Sequence, residues 1–334
     1  MSTSLKKYFP AGTPVKWSAS AENFITESGE LILNDDTTLT IKLKSSRILF
    51  SWDGGGTKTV WFGGKEMTST SPIYLGNDGL ITDIDNVFSN DFTTKNVFLD
   101  AEGFPNKGSV LYDIFNDDTN TIENIEIVNS SHIADFRFVF ANMQHIKTVS
   151  VDTSSATMME SMFSKSAIVN APILETSNVI STKFMFFNCS NLEYIPLYDF
   201  SNVQNMYGTF SGCTNLTTIP QINTSHVTNM DSCFSECIKL KSVPLLDFSN
   251  VTTSSLAFYQ CTSLTDVGGF IGLKADIDFK YSPLTHDSAL NIIDNLAVSS
   301  GHKVIFKRST FRTLTSAEIA RATDKGWEIL EYLG

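Results

Sequence analysis

Apolar positions in the middle of the chain recur on a fixed period. Cys189, Cys213, Cys237 and Cys261 stand 24 residues apart. Each has a phenylalanine three residues before it (Phe186, Phe210, Phe234, Phe258) and a leucine three after it (Leu192, Leu216, Leu240, Leu264). A branched residue follows at Ile195, Ile219, Val243 and Val267, and the first three are succeeded by Pro196, Pro220 and Pro244. The other half of each unit carries Val179, Val203, Val227 and Val251, with Met206 and Met230 four residues before their Phe. Upstream the phase continues in steps of 23 through Phe163 and Phe140, where Met159 and Phe136 hold the minus-four position and Ser166 and Met143 stand in the Cys position. Phe115 fits one step earlier, and Phe88 or Phe92 opens a further degenerate unit.

A period of this length predicts a solenoid. Each unit has an apolar stripe too small to bury alone, and stacking neighbours joins the stripes into one core. The Phe and Cys columns are the core candidates. Leu192-x-x-Ile195-x-Leu197, Leu240-x-x-Val243-x-Leu245, Ile122-x-x-Ile125-x-Ile127 and Ile146-x-x-Val149-x-Val151 predict short parallel strands, one per coil, about 4.8 Å apart. The Ser-Asn-Val-x-x-Met-x-x-x-Phe half has helix-compatible spacing behind a capping signal, so a short helical turn is expected there. Pro196, Pro220 and Pro244 lack the N–H that a central ladder needs, and are read as a recurrent corner. The fold class is therefore an α/β solenoid over residues 81–270.

Both ends depart from the period. Within residues 1–80, Thr38–Lys44 alternates strictly, and Ile48–Trp52 and Thr59–Phe62 flank the glycine-rich run Asp53–Thr57, which predicts a hairpin in a small antiparallel β module. In residues 271–334, Thr285 precedes an amphipathic run and Thr315-Ser-Ala-Glu318 is a capping box. Lys303–Phe306 and Trp327–Leu330 read as strands, so a helix–strand–helix–strand cap is expected to close the solenoid.

Charge narrows the function classes. With 24 Lys+Arg against 36 Asp+Glu, the net charge of −12 disfavours nucleic acid and anionic membrane as partners. No apolar run reaches membrane-spanning length, and Met1–Pro10 lacks the apolar stretch of a secretory signal. Asp53-Gly-Gly-Gly-Thr57 is similar to the first phosphate loop of sugar kinases, but a repeat array follows where that fold needs further nucleotide-binding loops, so a hairpin tip is the stronger reading. Asn34–Asp36 and Asn116–Asp118 lack the spacing of a calcium loop and read as turns. The Cys column reads as buried thiols, with bridging left open. His132, His145, His226, His286 and His302 are dispersed, and no metal site, catalytic residue or cofactor is expected. By strand alternation, the outward-facing binding candidates are Tyr194, Tyr198, Thr218, Ser242 and Asp266.

The F-x-x-C-x-x-L-x-x-[IV]-P pattern, with Asp199-Phe-Ser-Asn-Val203 and Asp247-Phe-Ser-Asn-Val251, resembles the BspA-like leucine-rich repeat family over roughly residues 115–268. The early units depart from it in lacking the Cys and Pro. The resemblance implies a curved, non-enzymatic solenoid used in adhesion or recognition on microbial surfaces and in viruses of bacteria. The run Thr313-Leu-Thr to Lys325-Gly-Trp327 resembles the ending of such proteins in phages and gut bacteria. The expectation is a phage virion protein: a tail fibre, tail tip or head decoration, bound to other virion proteins through its N-terminal module and to a host-surface protein or glycan through its repeats. Homo-oligomerisation is compatible with this role. A bacterial cell-surface adhesin is the alternative, and a nucleotide-binding enzyme a lesser one.

Overall fold

A computed structural model of the chain describes residues 121–334, Ala101, Leu111, Tyr112, Phe115, and the backbone of eight earlier strands. The chain forms two compact units, Met1–Asp135 with Met143–Ser155, and Phe136–Asn142 with Ala156–Gly334.

The first unit begins with β1 (Thr3–Phe9), β2 (Pro14–Ala21), β3 (Phe24–Ile32), β4 (Thr37–Leu43), β5 (Arg47–Ser51) and β6 (Thr59–Phe62). β1 pairs antiparallel with β4 and β6, and β2 pairs antiparallel with β3 and β5. The expected hairpin is therefore corrected: β5 and β6 lie in different sheets. An isolated two-stranded hairpin is marginal in water, and here each strand takes a more distant partner inside a larger sheet. From β6 onward the pairing turns parallel, through β7 (Pro72–Leu75), β8 (Asn96–Asp100), β9 (Asn124–Val128) and β10 (Thr148–Val151). Parallel pairing thus starts upstream of residue 80. In β9 the alternation is direct, with Ile125 and Ile127 buried on either side of exposed Glu126.

In the second unit the rings of Phe140, Phe163, Phe186, Phe210, Phe234, Phe258, Phe279 and Phe306 form one column. Successive centroids are 5.3, 5.4, 5.7, 5.5, 5.5, 5.2 and 6.2 Å apart. Interplanar angles from Phe163 to Phe258 stay within 10°. Each such pair is worth about 0.5–1.5 kcal/mol beyond its buried area. Leu192, Leu216, Leu240 and Leu264 are fully buried alongside.

The half-unit expected as a helical turn is a run of tight turns, and two observations show why. Ser161, Phe184, Gly208 and Ser232 have φ between +56° and +60°, and Lys165, Asn188, Gly212 and Glu236 repeat the left-handed conformation four residues later. A right-handed helix cannot pass through such residues. The amides also alternate: Thr182, Phe184, Phe186 and Asn188 donate to the carbonyls of Asn205, Tyr207, Thr209 and Ser211 in the next unit, at 2.7–3.0 Å. Between them Met185, Phe187 and Cys189 donate three residues back along their own chain, at 2.9–3.1 Å. Backbone donors are satisfied between and within units, leaving none for the i→i−4 pattern.

On the opposite side, pairing is parallel and brief. It consists of bridges Asn170↔Tyr194 and Thr218↔Ser242, then β11 (Ser242–Val243), β12 (Leu246–Asp247), β13 (Asp266–Val267) and β14 (Phe270–Ile271). Pro244 sits between β11 and β12, where its missing N–H leaves no ladder bond unmade.

The C-terminal segment adds β15 (Ile277–Phe279), α1 (His286–Asp294), β16 (His302–Lys307), the four-residue α2 (Arg308–Phe311), α3 (Ser316–Thr323) and β17 (Trp327–Tyr332). β15, β16 and β17 form one parallel sheet. Thr285 Oγ1 accepts from the Ser288 amide to open α1, and Thr315 with Glu318 makes a reciprocal capping box for α3. Lys280 Nζ lies 5.6, 5.4 and 5.9 Å from the ring centres of Tyr259, Tyr281 and Tyr332, a cation–π cluster that ties β17 to the last repeat.

Candidate recognition surface

Parallel bridges align Asn170 with Tyr194, and Thr218 with Ser242 and Asp266, in a row of positions spaced 24 residues apart. Tyr194 is 58% exposed, Thr218 and Asp266 are exposed, and Ser242 is half-buried. Tyr198 does not belong to this row. It is buried, its ring stacks on Phe200 and Phe186 with centroids 5.6 and 6.5 Å away, and its hydroxyl donates to the Pro172 carbonyl at 2.7 Å. Burial pushes its phenol well above the usual range. Simple alternation from Tyr194 to Tyr198 fails: Ile195 and Tyr198 are both buried, and Leu197, directly after Pro196, is exposed.

After the proline, residues that the leucine-rich pattern assigns to the core are exposed. In Ile122-x-x-Ile125-x-Ile127, which has no proline, all three are buried. In the proline-containing units the last member faces out: Leu197 is 71% and Leu245 39% exposed. Ile173, which follows Pro172 in the preceding unit, reaches 85%. The post-proline column is thus Ile173, Leu197, Gln221 and Leu245. Gln221 Nε2 donates to the Leu245 carbonyl at 2.6 Å, so the apolar character breaks there. A proline one residue before an apolar residue was the available signal for these outward positions.

Val169, Ile173, Tyr194 and Leu197 are all exposed, on two consecutive units that the Asn170↔Tyr194 bridge joins. Glu175, Glu193 and Asp199 lie in the same two segments and are exposed. Asp199 Oδ1 accepts from the Ser201 amide at 2.9 Å, and the Ser201 hydroxyl, then that amide, lower its carboxyl from the ordinary value. No Lys or Arg occurs in residues 166–182 or 189–206.

The cysteine column points inward. Cys189, Cys213, Cys237 and Cys261 are free and buried, and their thiols donate to the carbonyls of Phe163, Phe186, Phe210 and Phe234 at 2.9–3.1 Å. Ser166 takes the column one unit earlier, 3.6 Å from Cys189 Sγ. Desolvation pushes the Cys189 and Cys261 thiols up to about 12 and the others up as well, so thiolate is suppressed throughout. Among the described residues, no group of three or more His, Cys, Asp or Glu is placed to hold a metal ion. His286 lies 3.2 Å from Glu318 and His302 3.5 Å from Asp276, in separate ion pairs of the C-terminal segment. The glycine-rich run Asp53–Thr57 and the acidic runs 34–36 and 116–118 lie outside the described residues. Among the described residues, no helix is long and apolar enough to cross a membrane.

No curated protein and no solved structure matches the chain. Residues 109–216 and 185–271, the stretch that holds the repeats and this surface, match the family described as Mycoplasma protein of unknown function, DUF285.

Proposed function

We propose that the chain is a non-enzymatic recognition protein, a BspA-like leucine-rich repeat solenoid that binds a host-cell surface molecule through the face carrying Tyr194 and Leu197. One observation carries this reading: large apolar side chains stand outward on consecutive units of a framework whose own apolar columns are filled. Large exposed apolar side chains concentrated on neighbouring units mark interaction sites. Tyrosine contributes a large contact area at low entropic cost. The thiols are buried and protonated, which removes the most reactive side-chain type from contact with a substrate.

Two placements follow. In the first the protein is part of a phage virion, as tail fibre, tail tip or head decoration, with the N-terminal strands joined to other virion proteins; the resemblance of its C-terminal run supports this. In the second it is a bacterial cell-surface adhesin, which the Mycoplasma family match at residues 109–271 favours. The test is adhesion of the tagged chain to intact bacterial cells and to a glycan array, wild type against Tyr194→Ala/Leu197→Ser. Adhesion lost in a variant that melts like the wild type supports the reading; adhesion unchanged overturns it. Immunogold labelling of virions or of cell envelopes separates the two placements.

A further inference from the structure

The recognition face has a chemistry of its own. Ile173 and Leu197 are the protruding aliphatics of adjacent units, at 85% and 71% exposure, and Val169 and Tyr194, four and three residues before them, are 41% and 58% exposed. Pro172 and Pro196, both half-buried, hold the backbone between these residues and lower the entropy lost when a partner docks. The charged residues within two positions of these side chains have one sign. Glu193 adjoins Tyr194, Asp199 lies two residues past Leu197, and Glu175 lies two past Ile173. Lys165 and Lys183, the nearest basic residues in sequence, belong to the turn-forming half of their units, where Lys183 lies over the rings of Phe184 and Tyr207 at 5.6 and 5.8 Å. Over the next two units the character of the face changes. Gln221 interrupts the aliphatic column, and exposed Lys241 occupies the position that Val169 and Glu193 hold.

An apolar centre with a rim of single sign selects partners by charge and anchors them by burial. We propose that residues 169–199 form a docking surface for a cationic protein segment, one that places aliphatic side chains on Val169, Ile173, Tyr194 and Leu197 and Lys or Arg against Glu175, Glu193 and Asp199. This rests on the recognition reading and narrows it to a protein ligand of stated charge. The net charge of −12 adds long-range attraction for the same class of partner. A neutral glycan would use Tyr194 but leave Ile173 and Leu197 without apolar partners.

The test titrates the full chain with three fluorescent peptides of equal length, alternating Leu/Lys, Leu/Glu and Ser/Lys. The Leu/Lys peptide should bind about tenfold or more tightly than either other one, and Ile173→Ser/Leu197→Ser should weaken it by about the same factor, as loss of buried anchors does. Val298→Ser removes an aliphatic 87% exposed elsewhere and should change nothing. Should the double variant fail to fold, Leu197→Gln serves, since Gln221 already occupies that position one unit on. Equal binding of Leu/Lys and Ser/Lys, equal binding of Leu/Glu, or indifference to Leu197→Gln overturns the proposal. If cell adhesion depends on Tyr194 and Leu197 while all three peptides are ignored, the cationic partner falls and recognition stands. If adhesion is indifferent as well, both fall.

Discussion

Phe210→Ala tests whether the ring column is the core of the second unit. Phe210 is fully buried, and its ring stacks on Phe186 at 5.7 Å and on Phe234 at 5.5 Å, with interplanar angles of 6° and 9°. Truncating a buried Phe costs about 3–5 kcal/mol, and two lost ring pairs account for about 1–3 of that. Phe306, at the far end of the column, meets only Phe279 within it, at 6.2 Å, so Phe306→Ala should fall at the lower edge of the same range. A stack held by nearest-neighbour interfaces opens locally, which calls for a probe in each unit.

The buried cysteines are that probe. They label only when their unit opens, because burial keeps the thiols protonated and out of reach. With labelling slower than reclosing, the rate follows the opening equilibrium, and about 1.4 kcal/mol is a factor of ten. Phe210→Ala should therefore speed native-state alkylation of Cys213, read by peptide mass spectrometry, by roughly 10²–10⁴-fold. Cys189 and Cys237, in the flanking units, should follow, and Cys261 should respond least. An increase below tenfold at Cys213 would refute the stacked core, and equal acceleration at every cysteine would refute the nearest-neighbour account of its stability.

Two further outcomes follow from the local geometry. Gly208→Ala places a Cβ at φ +60°, with the Phe184 ring 2.5 Å from it; the left-handed backbone costs about 1–2 kcal/mol and the overlap a similar amount, so chemical denaturation should show a loss of at least about 2 kcal/mol, and a variant as stable as wild type would contradict the turn assignment. The Glu318 carboxyl is held at about 2, below its ordinary 4.5, chiefly by the Thr315 amide and then the Thr315 hydroxyl and His286. Its contribution to the α3 cap is complete above the ordinary value and disappears as pH falls through about 2, so the Thr315 amide resonance should titrate with that midpoint, and should not in Glu318→Gln; a midpoint near 4.5 would show that the capping box does not form.

What the sequence made legible was whatever the period samples repeatedly. Phe186 to Phe258 and Cys189 to Cys261 recur in phase, so their common interior column is readable from the spacing alone. Phe279 and Phe306 extend the same ring stack but stand 21 and 27 residues on from their predecessors, where β15 and β16 replace the repeat, and no fixed period finds them. The capping box at Thr315 was visible because a cap depends on four adjacent residues. The turn-rich half was not, because apolar spacing is blind to the sign of φ: Met206 and Phe210 fit a helix by position, yet Gly208 between them is left-handed. Proline is where pattern and geometry part most sharply. Leu197 and Ile127 occupy equivalent places in the leucine-rich motif and carry equally apolar side chains, but Leu197 follows Pro196 and is 71% exposed where Ile127 is 3%. The candidate surface therefore arises from a core motif displaced by one backbone constraint. Removing that constraint with Pro196→Ala is the change that would return the segment to the alternation seen in β9.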